Sequence, residues 1–181
     1  MEYSKFIKRD VAYEWFVSYR KLVMTEADKK NFDNAFTIMC ERAIDGDSVA
    51  QDCVAYFFNK GFDDLAQNYD LYMSWEILAG ANGNEFALEK LGFFLDPAIN
   101  TIVNDQEILV EAMKKGNITK ENALSVIGNL ICESVVDQLK IDPLKLIKFD
   151  TKPVEFSSVL QKKYDNAIEQ GFESVIKFLL S

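Results

Sequence analysis

The side chains with which this chain could do chemistry are carboxylates, lysines, tyrosines and three cysteines, because its 181 residues include no histidine. Without histidine there is no Ser–His or Cys–His nucleophile pair and no imidazole ligand for zinc. A paired-carboxylate hydrolase is compatible with the 29 Asp and Glu residues, but no spacing between them favours one. We therefore expect a protein that is not an enzyme and that uses no cofactor.

The densest carboxylates do not have the spacing of a metal site. Asp45 and Asp47 lie in one predicted turn, and Asp63 and Asp64 lie in a predicted loop. A calcium loop needs ligands at positions 1, 3, 5 and 12 and a central glycine, whereas residues 63–74 lack both that glycine and a terminal glutamate. We expect these acids to cap helices or to face solvent, with no metal bound.

The cysteines indicate a reducing compartment. Cys40, Cys53 and Cys132 are odd in number and have no CxxC spacing, so neither a disulfide framework nor a thiolate metal site is expected. They are predicted to pack as small hydrophobic residues. The N-terminal residues are charged and lack the apolar segment of a signal peptide, and no stretch approaches the length of a membrane span. These features predict a cytoplasmic protein.

The charge balance restricts the partners. Twenty basic and 29 acidic residues give a net charge of −9. Nucleic acids and anionic membranes would be repelled at long range, so neither is expected as a partner. The one basic neighbourhood, the lysines between residues 140 and 163, is interpreted as a solvated face.

Helical periodicity runs through the whole chain, which contains only three prolines and eight glycines. Its length favours a single domain over residues 1–181. The pattern predicts an all-α fold in which one helix stops before Asp96-Pro97 and the last two are separated by a break at Gly171. The predicted helices cover residues 11–24, 25–44, 49–59, 68–81, 85–95, 105–115, 119–140, a short turn from 142, 153–170 and 172–180.

Two segments of the chain repeat at a spacing of 37 residues. Residues 43–50, AIDGDSVA, align with residues 80–87, GANGNEFA, and each copy predicts a helix, a tight turn at glycine and a second helix. A period of this size is typical of solenoids built from helical hairpins, in which each unit buries its apolar face against the next.

At this repeat the chain resembles the Sel-like repeat (Sel-one type), a relative of the tetratricopeptide repeat. The residues that carry the resemblance are Ala50, Val54-Ala55, Phe58, Gly61, Tyr69-Asp70, Trp75, Gly80-Ala81, Gly83-Asn84 and Ala87. Three places depart from the family pattern. Val54-Ala55 replaces a Leu-Gly pair, Tyr69-Asp70 reverses the usual order, and residues 71–73 replace a Lys-Ala pair. The resemblance covers residues 11–95, and residues 96–181 are either divergent repeats or a helical cap.

The resemblance implies an α-solenoid, a right-handed superhelix of antiparallel helix pairs with a concave face. Members of the family are mostly adaptors and scaffolds that bind other proteins. Trp75 stands at the family's tryptophan position, which implies that it packs between helix pairs.

If the first helix of each pair lines the concave face, positions i, i+3, i+7 and i+10 form one stripe there. The residues thereby predicted to bind the partner are Trp15, Tyr19, Asp52, Tyr56, Asn59, Glu89 and Phe93. Aromatic side chains anchor interfaces, and carboxylates would select a basic or mixed basic and apolar segment. The alternative is that Trp15, Tyr19 and Phe93 belong to the hydrophobic core.

The predicted function is that of a protein-interaction adaptor or scaffold. The alternative is an inhibitor or immunity-type protein that plugs the basic surface of a toxin or enzyme, which small size and the net charge of −9 favour. Acidic plugs associate fast and lose that rate steeply in salt, whereas an adaptor groove is less sensitive to salt.

Overall fold

The computed structural model describes residues 36–61, 65–116, 118–147 and 158–181, and this part of the chain is all-helical, as predicted. The predicted helix 11–24, with Trp15 and Tyr19, lies outside the described residues. Helical residues 36–44 precede eight α-helices and one 3₁₀ helix in the described segments. These are α1 (Ser48–Lys60), α2 (Tyr69–Ala81), α3 (Glu85–Lys90), the 3₁₀ helix η1 (Phe93–Leu95), α4 (Pro97–Asn104), α5 (Gln106–Lys114), α6 (Ala123–Leu139), α7 (Pro143–Leu146) and α8 (Ser158–Leu180).

The two copies of the repeated segment form the same turn. In residues 45–47 and 82–84 the glycine N–H donates to the carbonyl three residues earlier, over 3.2 and 3.0 Å. The next N–H donates to the carbonyl five residues earlier, over 3.0 and 2.9 Å. Gly46 and Gly83 have φ values of 91° and 80°, a left-handed conformation that glycine adopts without strain. The spacing of 37 residues in the sequence thus corresponds to one local structure used twice.

Side-chain amides also bond equivalent positions of the two copies. The Gln51 side chain donates to the Ala43 carbonyl over 2.9 Å, and the Asn129 side chain donates to the Gly80 carbonyl over the same distance. Ala43 and Gly80 are 37 residues apart, and each carbonyl accepts this side-chain bond in addition to the bond from the glycine N–H of its turn. The Asn82 side chain donates to Gln51 over 3.0 Å, which connects the second turn to α1.

Helix α2 is enclosed by the other helices. Its residues 74–80 are all buried, and it packs against α1, α3, α6 and α7. Trp75 belongs to a core cluster with residues 36–44 and α1, whereas Ile77 belongs to a second cluster with helices α3 to α6 and α8. A helix with seven consecutive buried residues requires neighbours on every side. The two clusters therefore meet at α2.

One predicted helix end is wrong, and one helix was not predicted. The helix predicted over residues 85–95 ends at Lys90, because Gly92 turns the chain with a φ of 81° before η1 begins. The Asp96-Pro97 pair begins α4, a helix that the sequence pattern did not predict. The Asp96 carboxylate accepts hydrogen bonds from the first turn, and Pro97 stands at the helix start, where no N–H is needed.

The predicted break at Gly171 is also wrong, since α8 is continuous from Ser158 to Leu180. A Cβ atom at Gly171 would lie 3.2 Å from the Ile131 carbonyl oxygen on α6. The glycine therefore allows close packing of α8 on α6 within a continuous helix.

All three cysteines are buried, as predicted. Burial raises the pKa of the Cys40 thiol to about 12 and also raises the pKa of Cys132. Over the described ranges, no helix combines the length and the apolar character that crossing a bilayer requires.

The contact between α2 and α6 leads to a first prediction. A Cβ atom at Gly80 would lie 2.6 Å from the Cys132 sulfur and 3.0 Å from Leu88. Gly80→Ala should therefore lower the free energy of unfolding by about 1–3 kcal/mol, although alanine usually stabilises a helix interior by about 1 kcal/mol relative to glycine. Urea unfolding followed by circular dichroism measures the change.

Cys132→Ala provides the matched test, because it removes the sulfur that the new methyl group would meet. In the double variant, Gly80→Ala should cost less than it does in the wild-type background. A Gly80→Ala variant that is as stable as the wild type would contradict the close approach.

Candidate functional site

An apolar pocket with acidic residues at its rim opens between η1, α4, α6 and α8. Its volume is about 310 Å³. Phe93, Ile99 and Ile131 form a floor that is almost fully buried, and the rim carries three carboxylates. The complete lining is Phe93, Asp96, Ala98, Ile99, Ile131, Asp165, Ile168, Glu169 and Phe172.

Helix α8 supplies one wall of the pocket. Asp165, Ile168, Glu169 and Phe172 follow one another at spacings of three, one and three residues, which places them on one face of the helix. Acidic and apolar side chains therefore alternate along this wall. Asp165 and Glu169 are exposed, and Asp165 also accepts a hydrogen bond from Gln161 over 2.8 Å.

The wall is attached to the rest of the fold near its start. Tyr164, the neighbour of Asp165, is 4% exposed, and its hydroxyl lies 2.5 Å from the Ser74 hydroxyl on α2. Burial raises the pKa of the Tyr164 phenol, while the bond to Ser74 lowers it. Gly171 allows the later part of the wall to pack closely against α6. Contacts therefore fix the wall at two points.

The opposite wall is set by a glycine and by a helix cap. A Cβ atom at Gly128 on α6 would lie 3.3 Å from Leu88 Cδ2 and 3.4 Å from the Phe93 Cβ, so α6 packs closely against both residues. Asp96 Oδ1 accepts the N–H groups of Ala98 and Ile99 over 2.7 and 3.4 Å. One Asp96 oxygen is thus committed to the start of α4, and the favourable helix dipole there partly offsets its charge.

A second cluster of charged groups joins the first three helices. The Lys90 ammonium on α3 forms ion pairs with Asp52 on α1 and with Glu76 Oε1 on α2, the latter over 2.9 Å. Glu76 is fully buried. Its second oxygen, Oε2, has no hydrogen-bond partner within the part of the chain that the structure describes.

Two carboxylates share one cation in this cluster, and the pKa values reflect that. The pKa of the Glu76 carboxyl is raised to about 8, because the raising effects of burial, the largest cause, and of the Asp52 carboxylate outweigh the lowering effect of the Lys90 ammonium. Burial lowers the pKa of Lys90, but Glu76 and Asp52 outweigh this and raise it overall. Burial is also the main cause of the raised pKa of the nearby Tyr72 phenol. The arrangement fixes α1, α2 and α3 relative to one another.

The structure does not place the predicted partner-binding residues on one exposed stripe. Asp52 is 9% exposed and lies in the ion cluster. Tyr56 and Asn59 are partly buried on α1, and Glu89 is exposed on α3. Phe93 is 3% exposed, as in the alternative that assigned it to the core. Trp15 and Tyr19 lie outside the described residues, so their roles stay predictions.

The stripe assumed that one helix continued through residue 95. Because α3 ends at Lys90, Glu89 and Phe93 lie on different elements and do not share a helical face. Phe93 instead meets the acidic face of α8 at the pocket, which the sequence analysis did not identify. The spacing of Asp165, Ile168, Glu169 and Phe172 was the available signal, but the predicted break at Gly171 separated Phe172 from the others.

No protein-family model, curated protein or solved structure matches the chain. The resemblance to the Sel-like repeat therefore stays a prediction. Within the described segments, no three Cys, Asp or Glu side chains are grouped in a way that could hold a metal ion.

The ion cluster leads to a second prediction. Lys90→Met leaves the Asp52 and Glu76 carboxylates without their cation, and it should lower the free energy of unfolding by about 2 kcal/mol or more. Lys114→Met is the matched control, since it breaks an exposed ion pair with Glu111 and should cost less than about 1 kcal/mol. Equal losses in the two variants, measured by urea unfolding, would contradict a stabilising role for the cluster.

A third prediction concerns pH. The pKa of Glu76 in the folded protein, about 8, lies above its ordinary value of 4.5. The folded state then holds a proton that the unfolded state releases, so this contribution to stability is complete below pH 4.5 and is lost as the pH rises through about 8. Lys90 contributes no slope here, because its raised pKa confines its effect to more alkaline solution.

Glu76→Gln should remove this pH dependence. Between pH 6 and 8, the stability of the variant should fall less steeply than that of the wild type, by up to about 1.4 kcal/mol per pH unit. Urea unfolding at several pH values measures the slopes, and the exposed Glu111→Gln should leave the slope unchanged. A wild-type slope that persists in Glu76→Gln would assign the proton to another group.

Proposed function

We propose that this chain is a protein-interaction adaptor that binds a segment of its partner in the pocket between η1, α4, α6 and α8. The observation that carries the proposal is a pocket of about 310 Å³ that has an apolar floor and a rim with three carboxylates. Burial of an apolar side chain there would supply affinity at about 25 cal/mol per Å². The carboxylates would favour a partner of opposite charge.

The lining supports a binding protein rather than an enzyme. It contains no lysine, tyrosine, cysteine, serine or threonine, and its carboxylates lie at the rim of an apolar floor. The thiols of Cys40 and Cys132 are buried with raised pKa values, and a thiol in that state is a poor nucleophile at neutral pH.

The proposal includes the predicted α-solenoid of Sel-like type. The identical turns at Gly46 and Gly83 support a repeating unit of a helix, a tight turn and a second helix. The Asn129 bond to the Gly80 carbonyl corresponds to the Gln51 bond in the preceding copy. This supports α6 as the element that takes the place of the next repeat against α2, with α8 as part of the C-terminal cap.

The alternative function is an inhibitor or immunity-type protein that covers a basic surface. The net charge of −9 supports it. Its association would fall steeply with salt, whereas a partner bound through an apolar anchor would keep most of its affinity. The same binding experiment therefore separates the two functions when it is run at low and high salt.

Phe172→Ala tests the pocket. This side chain lines the pocket and is only partly buried, so its truncation should leave the fold intact. Phe178→Ala is the matched control, because Phe178 lies on the same helix, is 56% exposed and is not part of the lining. Both variants and the wild type are immobilised, exposed to a lysate of the source cells and compared by quantitative mass spectrometry.

We expect one protein to be enriched by the wild type and by Phe178→Ala, and to bind Phe172→Ala about 10-fold or more weakly, as for an interface hot spot. Circular dichroism checks that both variants are folded. Partners that bind Phe172→Ala as tightly as the wild type would contradict binding in this pocket.

A further inference from the structure

The volume of the pocket limits how much of a partner it can hold. At about 310 Å³ it lies at the lower end of the range for ligand pockets. A helix docked in a groove would need a row of anchor side chains spaced over two turns. A pocket of this size instead fits one large side chain.

The charged side chains that line the pocket are all acidic. Its lining includes three carboxylates and no lysine or arginine. Asp96 uses one oxygen to cap α4, so its charge is partly compensated by the helix N-terminus. Asp165 and Glu169 are exposed, and neither forms an ion pair with a described lysine or arginine. The strongest uncompensated negative charge therefore lies on the α8 side of the pocket.

Asp165 and Glu169 also have a defined spacing. Four residues of helix separate them by about 6 Å along the axis, which is close to the distance of about 6.6 Å between alternate residues of an extended chain. Two basic side chains on the same side of an extended segment could therefore each face one carboxylate.

From these observations we propose that the pocket recognises a short extended segment with one large apolar side chain and basic residues beside it. The apolar side chain fills the pocket and contacts the floor formed by Phe93, Ile131 and their neighbours. The basic residues pair with Asp165 and Glu169. This inference rests on the proposed function and specifies the partner's chemistry. The carboxylates supply selectivity and the floor supplies most of the affinity.

A library of random peptides displayed on phage tests the inference without knowledge of the natural partner. The full chain selects peptides, and the selected pools are then challenged with variants. We expect enriched peptides to contain a large apolar residue with lysine or arginine within two positions. We also expect Phe172→Ala to lose them and Phe178→Ala to retain them.

The carboxylates are tested with one enriched peptide, labelled with fluorescein and titrated by anisotropy. The double variant Asp165→Asn/Glu169→Gln should weaken binding at least about 10-fold at low salt. The matched control is Glu133→Gln/Asp137→Asn, which removes two exposed charges at the same spacing from α6, outside the pocket lining. It should change the affinity less than about 2-fold, because neither side chain lines the pocket and salt screens exposed charges that do not contact the ligand.

The outcomes separate this inference from the proposed function. Enriched peptides without basic residues that still require Phe172, or equal weakening by the two double variants, would overturn the inference and leave the pocket as a binding site. Peptides that bind Phe172→Ala as tightly as the wild type would overturn both. If no peptide is enriched, recognition of a short segment is overturned. The same conclusion follows if the wild-type chain is a dimer and the Phe172→Ala variant is a monomer.

Discussion

The burial of α2 on every side is the constraint on which the other helices depend. A segment of seven consecutive buried residues, 74–80, can be kept from water only if helices pack around it. Gly80 allows α6 to approach within contact of its backbone, and Trp75 and Ile77 contribute to different core clusters. The two core clusters thus meet at α2, and Val136 on α6 and Ile141 just after it also pack against both clusters.

The burial of residues 74–80 brings a carboxylate, Glu76, into the interior. Lys90 offsets part of the desolvation cost, and because it also pairs with Asp52 it connects α1, α2 and α3 at one point. Burial is the main cause of the raised pKa of Glu76, and the Asp52 carboxylate, which shares Lys90 with it, raises that pKa as well. The cluster therefore positions the three helices, and the Lys90 ammonium compensates much of the negative charge of Asp52 and Glu76.

The carboxylates of the pocket have the opposite character. Asp165 and Glu169 stand beside apolar side chains on a wall fixed by Tyr164 and Gly171, and they face solvent rather than a described lysine. The same residue types thus have two roles in this fold. Carboxylates that pair with a lysine from a neighbouring helix stabilise the fold. Carboxylates without such a lysine give the apolar pocket a negatively charged rim. That difference is the physical basis of the proposed binding function.

The sequence by itself determined the local features of this protein. Helical periodicity established the all-α class, and the Gly46 and Gly83 turns with their capping residues followed from signals that act within about one helical turn. The absence of histidine excluded whole classes of catalysis before any fold was known. The burial of the three cysteines also followed from residue type, and the burial of Trp75 agrees with the packing role that the resemblance to the Sel-like repeat implied.

Only the tertiary structure decided which distant residues meet. Lys90 lies 38 residues from Asp52, and Ser74 lies 90 residues from Tyr164, so no local pattern encodes either contact. The same limit explains the errors at Gly171 and after Lys90. In the local sequence a glycine predicts the end of a helix, whereas Gly171 allows close packing on α6 within a continuous helix. The pocket exists because packing, which acts between elements far apart in the chain, brings η1, α4, α6 and α8 together.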